Sequence, residues 1–171
     1  MKVQDLMTTV VASCRPTTDL AAVATMMWQS DCGAVPVVDE DLRVLGMVTD
    51  RDICIAAATR RRRPEELSAG EVMSGRIHAV HAEDDVRRAL EVMRTRKVRR
   101  LPVIDAERRI QGIVSLSDLI SRSRTPEVRA GRNEVPLPYL IETMKSVCER
   151  SGASRPARTR KAGLEPEEAV T

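Results

Sequence analysis

Aromatic side chains are nearly missing from this chain: it has no Phe, and Trp28 and Tyr139 are the only Trp and Tyr among its 171 residues. Its core must therefore be aliphatic and rich in methionine. Histidine is as scarce, with His78 and His81 alone, and the cysteines at 14, 32, 54 and 148 form no Cys-x-x-Cys pair. Such thiols read as small core residues that the cytosol keeps reduced. A metal or redox site built from Cys14, Cys32, His78 and His81 is the alternative, since Cys14 and His81 fall near corresponding strand ends, but a set of four ligands is not evident.

Long apolar runs are missing too. None approaches the ~18 residues that span a bilayer, and Met1 to Asp5 is not followed by a stretch of signal-peptide type, so a cytoplasmic protein with no membrane contact is expected. The net charge of +3 and pI near 8.9 fall short of the one-face basic cluster that makes nucleic acid the expected partner. There is no phosphate loop of the Walker type, no HExxH, and no glycine-flanked nucleophile with a histidine to serve it, so no catalytic role is expected.

What is present is a repeat. Gly46-Met47-Val48-Thr49-Asp50-Arg51-Asp52 returns sixty-six residues later as Gly112-Ile113-Val114-Ser115-Leu116-Ser117-Asp118. The same offset aligns Leu6-Met7-Thr8 with Val72-Met73-Ser74, Asp19-Leu20 with Asp85-Val86, Met27 with Met93, and Pro36-Val37 with Pro102-Val103. Each copy begins with a short apolar segment (Val10 to Ala12; Ile77 to Val80). A helix follows whose apolar residues recur at i, i+3, i+4 and i+7: Leu20, Val23, Ala24 and Met27, then Val86, Ala89, Leu90 and Met93. Next come two strands joined by a polar turn, Val35 to Val38 with Val44 to Val48 and Leu101 to Ile104 with Ile110 to Val114, which should form hairpins. A second helix closes each copy, from Asp50 to Ala58 and from Ser117 to about Ser121. Units of about fifty residues with so few aromatics are too small to enclose a large core alone, so the copies are expected to pack about a pseudo-twofold axis.

The motif suggests a chemistry. Thr49 stands at an N-cap position and Asp52 in the first helical turn. A helix start offers unpaired N–H groups to an anion, and a hydroxyl could add a donor. A carboxylate can accept from two ribose hydroxyls, at about 1.5–3 kcal/mol per charge-assisted bond. The motif glycine would let a ligand approach the backbone. The competing reading is that Thr49 and Ser115 cap helices while Asp52 and Asp118 favour the helix dipole.

These motifs, with Gly33 to Asp39, Val98 to Asp105 and the leading Asp5-Leu6-Met7 and Glu71-Val72-Met73, resemble a tandem pair of CBS domains, or Bateman module, over about residues 3 to 122. The resemblance implies an α+β fold of two β-α-β-β-α repeats that binds adenosine nucleotides of the AMP, ADP or ATP class in two clefts. No cofactor is required. It implies ribose contacts from Asp52 and Asp118, and phosphate or ribose contacts from Thr49 and Ser115. Basic contacts would come from Arg99 and Arg100, with Arg51 as a further candidate. The first segment of one repeat would serve the other's cleft, pairing Ile77, His78 and Ala79 with Asp52, and Val11, Ala12 and Ser13 with Asp118. Gly33 and Ala34 stand where the second copy has Arg99 and Arg100, so the two clefts should be unequal. A homodimer acting on a protein effector in trans is expected, with a purely structural or dimerisation module as the alternative.

The expected organisation is repeat 1 over 1–59, a basic linker over 60–68, repeat 2 over 69–123, a loop over 124–136, an amphipathic helix over 137–150 and a disordered tail over 151–171. Arg60 to Arg63 read as a solvated face or a phosphate contact. The apolar stripe of the last helix, Leu137, Leu140, Ile141, Met144, Val147 and Cys148, docks either on its own module or on a partner.

Overall fold

In the computed structural model, residues 1–121 and 137–148 are described; the loop expected over 124–136 and the tail expected over 151–171 lie outside them. In the first half, helix α1 (Leu20–Gln29) precedes strands β1 (Ala34–Val38) and β2 (Val44–Thr49) and helix α2 (Asp50–Thr59). After the short helix α3 (Ala69–Val72), the second half runs β3 (Val80–His81), α4 (Val86–Arg96), β4 (Arg100–Ile104), β5 (Ile110–Ser115) and α5 (Leu116–Ser121), and α6 (Leu137–Cys148) follows. Strands β1 and β2 form one antiparallel hairpin; β4 and β5 form the other, with β3 parallel to β4.

Both hairpins carry the same register, Val37 opposite Gly46 and Val103 opposite Gly112, with an irregularity at the next pair. Both first helices are capped by the repeated aspartate: Asp19 accepts from Ala22 N–H (2.8 Å) and Asp85 from Arg87 N–H (2.9 Å). These side chains satisfy N–H groups that a helix start leaves without an intrahelical partner.

The leading segments of the two repeats are shorter in pairing than expected. In the first copy a single parallel bridge joins Cys14 to Val37, beyond the anticipated Val10 to Ala12, and in the second the strand is only Val80–His81. Upstream, each segment instead crosses to the other copy. Thr8 pairs with Ile113 on β5 (N···O 2.8 and 2.9 Å), and Ser74 donates to the Met47 carbonyl on β2 (2.9 Å). Lys2 bridges Asp85 just as Asp19 bridges Ser68, and the hairpin tips meet where Val44 N–H donates to the Arg108 carbonyl and Ile110 N–H to Leu42. Each of these bridges maps onto its equivalent under the sixty-six-residue shift, which is the pseudo-twofold relation expected.

This crossing explains the motif glycines. A Cβ on Gly46 would stand 2.7 Å from the Ser74 carbonyl oxygen and 2.8 Å from Met73 Sδ; on Gly112 it would stand 2.8 Å from both the Thr8 carbonyl oxygen and Met7 Sδ. The expectation that these glycines admit a ligand is therefore corrected: they admit the other repeat's backbone. The cores are shared in the same way. Val3 is buried with Val86, Leu90, Met93, Leu101 and Leu119 of the second repeat, while Leu67 and Ala69 are buried with residues of the first.

Helix α6 docks on its own module. Leu140 joins the second core, Thr143 donates to the Leu90 carbonyl (3.3 Å) and Ser146 to the Arg94 carbonyl (3.0 Å). Tyr139, Ile141 and Met144 remain exposed. The cysteines depart from the expected pattern: all four are free, but only Cys14 is buried, and Cys54 and Cys148 are exposed. Their helices turn those positions outward.

Candidate functional site

The repeated hydroxyl and carboxylate lock onto one another. Thr49 caps α2: its hydroxyl donates to Asp52 Oδ2 (2.7 Å) and accepts from Asp52 N–H (3.2 Å), while Thr49 N–H donates to the same Oδ2 (3.1 Å). Ser115 and Asp118 repeat this arrangement at 2.6, 3.2 and 2.8 Å. These are capping boxes with Asp at the third position. The hydroxyl proton of Thr49 is thus committed to Asp52, and the extra donor expected for an anion is not free. In each carboxylate the second oxygen, Oδ1, takes no hydrogen bond among the described residues.

Beside the first capping box lies a cavity of about 240 Å³. Thr49, Asp50 and Arg51 line it from the start of α2, Ser74, Arg76 and His78 from the segment leading to β3, and Arg99 and Arg100 from the start of β4. Five residues nominated from the sequence therefore converge: Thr49, Arg51, His78, Arg99 and Arg100. Asp52 stands one hydrogen bond behind Thr49 rather than in the lining. Ile77 and Ala79 flank His78, half-buried, outside the lining. Val11 and Ala12 are half-buried, and neither they nor Ser115 and Asp118 line this cavity.

Arg76 was not anticipated. It sits on a segment whose equivalent carries Val10, and no single-copy motif marks it; shifting the newly found lining by sixty-six residues would have exposed the contrast. Position by position, Arg51, Arg76, His78, Arg99 and Arg100 correspond to Ser117, Val10, Ala12, Gly33 and Ala34. Ala34, which also lines the cavity, corresponds in turn to Arg100, which pairs with Ser115 as Ala34 pairs with Thr49, and Asp50 corresponds to Leu116; the copies share Asp52 and Asp118, and of the four arginines only Arg100 borders the equivalent position.

The four guanidiniums of Arg51, Arg76, Arg99 and Arg100 make no side-chain hydrogen bond or ion pair among the described residues. Some other arginines are matched, Arg43 with Asp41, Arg88 with Glu91, and both Arg60 and Arg62 with Glu71, while Arg61, Arg94, Arg96, Arg108 and Arg109 likewise make no side-chain hydrogen bond or ion pair among the described residues. The two Glu71 pairs tie down half of the Arg60 to Arg63 run. What sets Arg51, Arg76, Arg99 and Arg100 apart is that they gather around one small cavity with a single carboxylate, Asp50, in its lining, a field suited to an anion.

Burial, and the positive charges of Arg96 and Arg76, hold His78 below the ordinary histidine range. The folded chain then binds fewer protons there than the unfolded chain, so stability is full above the unfolded pKa, ~6.5, and falls as pH drops through and below it. Thermal melts of the ligand-free protein at pH 7.5 and 5.5 should show a lower midpoint at pH 5.5. His78→Gln should reduce that difference.

Burial raises the Cys14 thiol to about 11, leaving it protonated. The metal grouping of Cys14, Cys32, His78 and His81 does not form: among the described residues no three His, Cys, Asp or Glu side chains gather as a metal site. No helix among them is long and apolar enough to cross a membrane.

A family model for the CBS domain matches residues 3–58 and again 69–124. The chain belongs to the CBS-domain family. This CBS pair is 33% identical over 129 residues to hypoxic response protein 1 of Mycobacterium tuberculosis (strain ATCC 25618 / H37Rv), covering 75% of this chain and 81% of that one. It is 36% identical over 117 residues to the CBS domain-containing protein YhcV of Bacillus subtilis (strain 168), covering 68% and 81%. Among solved structures, it resembles Hypoxic Response Protein I with two coordinated zinc ions (34% identity, TM-score 0.66, 72% of this chain and 100% of that one). It also resembles the CBS domain pair of protein MJ0100 in complex with 5'-methylthioadenosine and S-adenosyl-L-methionine (25% identity, TM-score 0.63, 71% and 94%).

Proposed function

We propose that this CBS pair is a regulatory module that binds an adenosine nucleotide of the AMP, ADP or ATP class in the Thr49–Arg99 cleft and acts on a protein partner in trans. The observation that carries the reading is the group of four unpaired guanidiniums on one 240 Å³ cavity. Drawn from three segments and lining one space, they supply the forked donors that phosphate oxygens accept. Asp52 Oδ1 and Asp50 are the acceptors for ribose hydroxyls. The adenosine-type ligands of the MJ0100 pair support the class of ligand. Because the Ser115–Asp118 copy has Ser117, Val10 and Gly33 in place of Arg51, Arg76 and Arg99, and keeps only Arg100 beside Ser115, the two clefts are unequal and the phosphate-bearing ligand belongs to the first. The exposed Tyr139, Ile141 and Met144 on α6 offer a surface for a second copy or for the effector, and a homodimer in the cytoplasm is the working form we infer.

A thermal-shift panel of AMP, ADP, ATP, S-adenosylmethionine and NAD tests the reading. A ligand at 100-fold its dissociation constant should add about 2.7 kcal/mol of apparent stability. Phosphate-bearing nucleotides should shift the midpoint upward, and no shift with any of the five would leave only the structural or dimerisation role.

A further inference from the structure

We propose that His78 couples the first cleft to pH: the chain takes up a proton on this imidazole when a phosphate-bearing ligand enters, and the ligand binds more tightly as pH falls. This rests on the nucleotide reading above and adds how that site is regulated. His78 is half-buried and lines the cavity beside Thr49. The charged groups that share the lining are Asp50 and Arg51 at the start of α2, Arg76 two residues upstream on its own segment, and Arg99 and Arg100 at the start of β4. Arg96, at the end of α4, acts on the imidazole from behind. Burial first, then the charges of Arg96 and Arg76, hold His78 below the ordinary histidine range. In the ligand-free chain it is therefore neutral at physiological pH, an uncharged ring among cations.

A phosphate chain reverses the electrostatic part of that balance. Its oxygens bring negative charge among the guanidiniums and offer acceptors, and a protonated imidazole donates from both ring nitrogens where the neutral ring donates from one. His78 then holds its proton more tightly in the complex than in the free chain. Linkage is reciprocal: between the two pKa values the complex carries more protons than the free chain, so affinity falls as pH rises through that window and levels off at its highest below it. The effect belongs to the first cleft. His78 and His81 are the only histidines, and His81 is exposed, outside the lining, with its ring against the Ile104 carbonyl (3.0 Å). The position equivalent to His78 is Ala12, so filling the Ser115–Asp118 cleft moves no such proton.

With two histidines, the full chain gives two imidazole proton signals, which His81→Gln assigns. Following both by magnetic resonance between about pH 5 and 8, the range in which histidine titrates, with and without saturating ATP, tests the proposal. The His78 midpoint should move upward by about one pH unit or more with ATP, each unit being a tenfold change in affinity, and the His81 midpoint should stay where it is. Calorimetry adds the converse. ATP's own terminal phosphate titrates near this range, so the quantity compared is the ratio of ATP affinities in the unaltered chain and in His78→Gln. That ratio should rise about tenfold or more from pH 7.5 to pH 5.5, at the lower end of what a charge-assisted hydrogen bond contributes. A His78 midpoint that is unmoved or lowered by bound ATP, an equal movement at His81, or an affinity ratio that is the same at both pH values would overturn the proposal and leave the nucleotide reading standing. Failure of ATP to bind at either pH would remove the nucleotide reading itself and this linkage with it.

Discussion

Replacing Arg99 and Arg100 together with alanine should weaken ATP binding by about a hundredfold or more. Hydrogen bonds to charged groups contribute about 1.5–3 kcal/mol each, and 1.4 kcal/mol is a factor of ten in affinity. Two lost guanidinium contacts thus span about two to four decades. Arg99 is exposed and Arg100 half-buried, so solvent screening places the effect at the lower end of that span. Loss of net charge is separable from loss of the site. Arg43→Ala with Arg88→Ala removes the same charge from arginines already paired to Asp41 and Glu91, and should leave affinity nearly unchanged. Calorimetric titration of both double variants at ~0.15 M salt, where charges beyond about 8 Å are screened, makes the comparison.

Leu90→Ala should lower the stability of the whole chain by about 2–5 kcal/mol, the usual cost of emptying a filled leucine site. Leu90 is 1% exposed, on the inner face of α4 among Val3, Leu101 and Leu140. Those neighbours come from the N-terminal segment, the β4 strand and α6, so the cavity weakens four parts of the chain at once. Urea unfolding should remain a single transition with a lower midpoint, because the crossed segments tie the two repeats into one cooperative unit. Ile55→Ala, on the exposed side of α2, should change stability by no more than ~0.5 kcal/mol.

Much of this architecture was legible because duplication doubles every signal. The offset relating Gly46 to Gly112 also relates both capping aspartates, both hairpin registers and both capping boxes, so local rules could be read twice and agreed. What stayed hidden depends on contacts between the copies. The motif glycines looked like a ligand's approach because a single-copy reading has no view of Met73 or Met7 arriving from the other repeat. The first strands were placed too early because Val10 to Ala12 and Ile77 to Ala79 have the apolar character of a strand, whereas sheet pairing begins only at Cys14 and Val80 and the bonds to the opposite hairpin are made further upstream, at Thr8 and Ser74. Arg76 carried no local pattern; its meaning comes from facing Arg51, Arg99 and Arg100 across a cavity built by three separate segments. The docking of α6 was undecided in sequence because its apolar stripe divides: Leu140 is buried in the second core and Leu137 packs against it, while Ile141 and Met144 are left outside.

A crystal structure of the full chain grown with ATP tests the central claim most directly. The account predicts phosphate oxygens within hydrogen-bonding distance of Arg76, Arg99 and Arg100, with a ribose hydroxyl on Asp52 Oδ1 or on Asp50. ATP seated only against Ser115 and Asp118, or a Thr49–Arg99 cleft still empty at millimolar ATP, would contradict it.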